Sequence, residues 1–260
     1  MKALYIAATG MKAQELNVEV ISNNVANMRT TGYKRQRADF QDLLYENQRR
    51  MGTQTSEVGT ILPNGVQIGS GVYAAATTRI MSQGTMSETG KSLDIAIRGE
   101  GFFQIQQPDG SSAYTRDGSF NRSQDGTLVN NNGYIVQPAI NIPDDVRDIT
   151  INNEGQVQAI TPGGAVVNLG QIELARFANK AGLEAVGDNL FLESEASGPA
   201  QVGAPGVDGT GDLLQGFIEA ANVDAVTELS DLIAAQRAYE MNSKIVKAAD
   251  EMYSTTTNMR

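Results

Sequence analysis

The chain has 260 residues, is 40% hydrophobic and carries 30 acidic against 20 basic side chains, a net charge of -10 that repels a phosphate backbone and makes nucleic acid a poor partner. It contains neither cysteine nor histidine, which excludes disulfides and thiolate metal sites and removes the commonest general base and metal ligand. The length suits one good-sized domain with extensions, or two modest domains.

The first element is a helix from Lys2 to about Met28. Leu4, Ala7, Met11, Gln14, Val18, Ile21, Val25 and Met28 recur at spacings of three and four, which gives one apolar stripe to bury against another helix. Gly10 is a weak point, and Thr31-Gly32 supplies the stop. Asn23, Asn24 and Asn27 crowd the last turns, where they either bond across to another helix or fray the end. The apolar stretch Ala3–Ala8 is too short for a secretory h-region, and no run approaches the ~20 apolar residues of a membrane span. Any route out of the cytoplasm is expected to need no cleaved signal, and no membrane insertion is expected.

From Tyr33 to Glu46 the pattern fits a helical turn or an extended arm. In and around it the basic residues Arg29, Lys34, Arg35, Arg37, Arg49 and Arg50 are interleaved with Asp39, Asp42 and Glu46, the pattern of a solvated or subunit-pairing face. Asn47–Gly71 is long and polar with a turn at Pro63-Asn64-Gly65, and reads as a mobile linker or a hairpin-like excursion.

Between Val72 and Phe217 the period changes to two. The strongest runs are Leu93–Ile97, Phe102–Ile105, Ala113–Thr115, Tyr134–Val136, Ile149–Ile151, Gln156–Ile160, Ile172–Ala175 and Leu190–Leu192. Asp109-Gly110, Asp117-Gly118, Asp125-Gly126, Asn132-Gly133, Glu154-Gly155 and Gly163-Gly164 separate them as turns or bulges. Ser197–Gly211 reads as the loop leading out.

A second helix begins at Asn222 or Asp224, with Glu228 in its first turn, and runs close to the C-terminus. Leu232, Tyr239, Val246 and Tyr253 form one stripe; Ala238, Met241, Ile245, Ala248 and Met252 form another, and Leu229 and Ile233 widen the surface. Two adjoining stripes call for more than one partner helix. Gln14 and Asn242 place polar groups in these seams, where they cost stability but fix register.

The fold class is therefore α+β: terminal helices in a coiled-coil-like inner domain, a central all-β domain and an extended link. The expected division is 1–32 for the N-terminal helix, 33–71 for the link, 72–218 for the β domain and 219–260 for the C-terminal helix. Arg98-Gly99-Glu100-Gly101 lacks the third glycine and receiving helix of a phosphate loop. The acidic runs at 144–148 and 207–212 do not match a calcium loop. No catalytic, cofactor or metal residue is assigned.

Ser22-Asn23-Asn24-Val25-Ala26-Asn27 with Thr31-Gly32-Tyr33-Lys34 resembles the N-terminal signature of the flagellar rod and hook axial protein family. Gln236-Arg237-Ala238-Tyr239-Glu240 with Asn242-Ser243-Lys244 is similar to its C-terminal signature. Gly99-Glu100-Gly101-Phe102-Phe103 and Tyr114–Phe120 match its middle. The length, and the stretch Ile61–Val72, narrow the resemblance to members that build the distal rod, with proximal-rod and hook-type members as the alternative. A carbohydrate-acting enzyme or an adhesion module is the rival from another class.

The resemblance implies a helical homopolymer, a hollow rigid drive shaft across the periplasm. Its implied partners are proximal rod proteins, the hook protein, the L and P ring bushing and the flagellar export apparatus. Subunit packing would fall to Leu4, Met11, Val18, Ile21, Val25, Leu232, Tyr239, Met241, Ile245, Val246 and Met252. A segment including Gln48, Thr55, Leu62, Pro63 and Gly65 would stiffen the rod.

Overall fold

Apolar stripes at both ends and alternating strands between them produce two compact units in the computed structural model, which describes residues 2–49 and 64–258. One unit contains the terminal helices and Gln36–Thr78; the other contains Ala26–Arg35 and Arg79–Asp224.

In the helical unit, α1 (Lys2–Ala26) and α2 (Ala225–Asn258) meet, and two of their contacts fix the register. Asn24 Nδ2 donates to Glu228 Oε2 at 3.1 Å. A Cβ on Gly10 would come within 2.9 Å of Asn242 Nδ2. The two contacts are two heptads apart on each helix and run in opposite directions, so the pair is antiparallel with a coiled-coil repeat. Ala7, Ala13, Ala235 and Ala249 are buried, and such small side chains let the axes approach. Gly10 thus does not weaken α1, which is continuous; it makes room for Asn242. Carried onward, this register puts Lys2 opposite Asp250, and α2 runs on by about 12 Å.

The helix stops at Ala26, two residues before the expected end. Asn24 turns its side chain to the following strand, donating to Gln36 O at 2.8 Å and accepting from Gln36 N at 2.9 Å, which holds the returning chain against the last turn. The chain then runs extended through β1 (Gln36–Asp42), β2 (Tyr45–Arg49), β3 (Val66–Gly69) and β4 (Val72–Arg79). β1 pairs with β4 and β2 with β3. Leu43 N to Gly71 O and Ser70 N to Leu44 O join the two ladders, so the segment is a nested ribbon.

The second unit is built on antiparallel strands. Its largest sheet has nine strands and includes Phe102–Gln106, Ser112–Thr115, Ile135–Gln137, Leu174–Arg176 and Leu190–Leu192. A separate three-stranded sheet holds Asp148–Ile151, Gln156–Ile160 and Val166–Gln171. Ile95, Ile97, Phe103, Ile105, Ile172 and Leu174 meet in one buried core, while Phe102, Tyr114, Phe177 and Phe191 form a second cluster with edge-on ring pairs 4.8–5.9 Å apart, the favoured geometry.

Gly110, Gly126, Gly133, Gly155 and Gly164 take positive φ at their turns. Gly118 differs from the turn expected at Asp117-Gly118. Its Cβ position lies 1.6 Å from Ile95 O, and the glycine is needed because two backbones touch there. Strands at Val166–Gln171, Glu184–Gly187, Gln201–Gly203, Asp212–Gln215 and Phe217–Glu219 lack clean alternation and are held by distant partners. Gln201–Gly203, inside the expected exit loop, pairs with Leu174–Arg176, and Asp212–Gln215 pairs with Ile95–Arg98.

Candidate assembly surface

A buried charge cluster closes the β unit where its N- and C-terminal segments meet. Lys34 Nζ donates to Glu219 Oε1 at 2.5 Å and to Ser82 O at 2.8 Å. Arg116 Nη1 lies 3.4 Å from Glu219 Oε2, and Nη2 donates to Gly99 O at 2.7 Å. Gly84 N donates to Glu219 Oε1 at 2.7 Å. The three charged side chains are at most 2% exposed. Burial pushes both the Lys34 amine and the Arg116 guanidinium below their ordinary pKa values, and the Glu219 carboxylate opposes the shift in each. Lys34 is therefore not part of a solvated basic face; Arg37 and Arg49 are exposed.

Neighbouring bonds fasten the same segments. Gly32, at φ 69°, donates its N–H to Glu219 O at 2.8 Å, and a Cβ there would strike Asp117 N at 2.7 Å. Asn189 Nδ2 donates to Thr31 O at 3.0 Å. Asn222 accepts from Arg35 N at 2.7 Å and donates to Ile80 O at 2.8 Å. Residues 31–35, 114–118 and 219–222 are thus locked into one block. Periodicity could not find Glu219 or Arg116, because a paired buried charge reads as surface in a linear chain. Lys34 and Arg116 did stand inside the quoted motifs.

α2 presents two faces. Ala235 and Ala249 are buried and Leu232, Ala238, Asn242 and Val246 half-buried, whereas Val226, Leu229, Ile233, Met241, Ile245 and Met252 are 49–73% exposed. Gln236, Arg237 and Glu240 are also exposed, and Tyr239 is 44% exposed. On α1, Leu4, Met11, Val18 and Val25 are half-buried and Ile21 is buried. Asn24 is buried, Asn27 half-buried and Asn23 exposed; Tyr33 is buried. Gln48 is exposed on β2 and Gly65 half-buried. Thr55, Leu62 and Pro63 lie outside the described residues.

The outer side of α1 and the ribbon enclose a groove of about 710 Å³. Tyr5, Ala8, Lys12, Glu15, Leu16 and Glu19 form its helical wall, with Leu43 and Val72–Ala74 opposite. Thr9 Oγ1, which donates to Ile6 O at 2.8 Å, accepts from Val72 N at 3.3 Å and fixes the floor. Among the described residues no group of three or more Asp, Glu, His or Cys could hold a metal, and no helix is long and apolar enough to cross a membrane.

Three family models match in chain order: "Flagella basal body rod protein" over residues 4–34, "Flagellar hook protein FlgE/F/G D1 domain" over 96–159 and "Flagellar basal body rod FlgEFG protein C-terminal" over 214–259. The flagellar basal-body rod protein FlgG of Caulobacter vibrioides is 54% identical over 261 residues, covering 100% of both chains. The chain belongs to the flagellar basal-body rod protein family. The flagellar basal-body rod proteins FlgG of Borreliella burgdorferi and Bacillus subtilis are 46% and 37% identical, each over 100% of this chain and 99% of the relative. The first rod-family match contains most of α1 and Lys34, and the last contains Glu219 and α2, so two matched regions meet in the buried cluster.

Proposed function

We propose that the chain is a distal-rod subunit whose copies stack head to tail into a stiff hollow shaft that carries torque from motor to hook. The observation that carries this reading is the exposed apolar stripe Leu229, Ile233, Met241 and Ile245 on a helix whose other face is already packed. Burying one such side chain gains roughly 1.5–3 kcal/mol, and a repeated contact that does not close builds a filament. The terminal helices carry the contacts between copies. The role is structural, and the proposed partners are proximal rod proteins, the hook protein, the L and P rings and the export apparatus. The site is the periplasm-spanning rod. The ribbon and its connecting residues, Gln48 to Gly65, stiffen the shaft by bridging neighbours.

Electron microscopy of the concentrated full chain tests the reading. Straight filaments are expected, and Ile245→Asp is expected to abolish them without altering thermal unfolding of the β unit. Filaments that survive Ile245→Asp would remove the stripe from the interface.

A further inference from the structure

We propose that the groove on α1 receives the C-terminal part of α2, from Lys244 onward, of the next copy of the chain; this contact rests on the rod-subunit reading. The groove runs along α1 from Tyr5 to Glu19 with a mainly apolar lining. The face of α2 carrying Ile245, Ala248 and Met252 is exposed. An apolar helix face entering an apolar groove is a common mode of recognition.

Charge sets the register. Lys12 and Glu19 line the groove seven residues apart, and Lys244 and Glu251 flank the α2 stripe seven residues apart in the same order of sign. All four are exposed, and among the described residues none forms an ion pair within its own chain. Laid antiparallel, Glu19 meets Lys244 and Lys12 meets Glu251, with Ile245 and Met252 toward the groove. The direction follows from polymer geometry. Copies related by a rotation and a rise about one axis keep the direction of helices lying along it, so α2 runs against α1 of its neighbour as it does against its own. A parallel arrangement would instead set Lys12 against Glu240 and Glu19 against Lys247.

The test is charge reversal in the full chain, read as the critical concentration for polymerisation by sedimentation. Glu19→Lys and Lys244→Glu are each expected to raise it about tenfold, since attraction becomes repulsion at every contact. The double variant is expected to return within about threefold of the unmodified chain. No recovery in the double variant, or recovery when Glu19→Lys is paired with Lys247→Glu instead, overturns the proposal. The absence of cysteine permits a second measurement that does not depend on stability. Glu15→Cys and Ala248→Cys, carried on separate chains and copolymerised, are expected to oxidise to a disulfide-linked dimer, because facing positions at this register bring the thiols within bonding reach. Filaments with no dimer overturn the groove contact while leaving the rod reading standing. An unmodified chain that never polymerises overturns both.

Discussion

Replacing Glu219 by Gln removes the carboxylate that touches both Lys34 and Arg116 while keeping the side chain's size. Lys34 Nζ stands at 2.5 Å and Arg116 Nη1 at 3.4 Å from it. The amide oxygen can still accept from Gly84 N and Lys34 Nζ, so what is lost is the negative charge and the second oxygen, which Arg116 faces. Uncompensated buried charge costs about 3–5 kcal/mol. For a unit of this size each kcal/mol lowers Tm by roughly 2–4 °C, so a fall on the order of 10 °C is expected in the thermal unfolding of the full chain. Lys34→Met is the informative control. It leaves Arg116 and Glu219 as a balanced pair and forfeits hydrogen bonds to Ser82 O and Glu219, a loss of about 1–3 kcal/mol. A Glu219→Gln variant that melts no lower than Lys34→Met would refute the claim that the carboxylate neutralises the cluster.

Gly10→Leu should strain the helix seam by about 1–3 kcal/mol of overpacking, and Asn242→Gly should relieve much of it; additive losses of helical circular dichroism stability would show that the two sites do not touch. Burial holds the Asp117 carboxyl above its ordinary pKa, with Asp94 adding to the shift and Ser119 and Asn189 opposing it. Its stabilising contribution is therefore complete below the unfolded value near 3.8 and is lost as pH rises through the folded value. Asp117→Asn should then gain in urea midpoint over the unmodified chain at pH 7, and the gap should narrow toward pH 4; a gap that widens on acidification contradicts the sign. Before assembly α1 and α2 have an exposed face and few partners, so amide exchange in residues 1–30 and 225–260 of the monomer should outpace that of the β core; slow exchange there would mean the helices are stable without neighbours.

The sequence by itself determined the terminal helices, the β centre and their order, because a stripe at three-and-four spacing and an alternation of two are local patterns that survive any tertiary arrangement. It also held Lys34, Gly32 and Arg116 within recognisable motifs. Only the tertiary structure decided what those residues do. Lys34 read as one more surface cation, and its burial depends on Glu219, a residue whose place beside it is set by sheet closure and not by spacing. Gly10 read as a flaw in a helix until Asn242 occupied the space of its missing side chain. Strands such as Gln201–Gly203 and Asp212–Gln215 carry too little alternation to declare themselves, since their hydrogen bonds come from distant segments. The same limit explains α2: its periodicity shows that both stripes are to be buried, but which stripe closes on α1 and which is left for a neighbour is a property of packing.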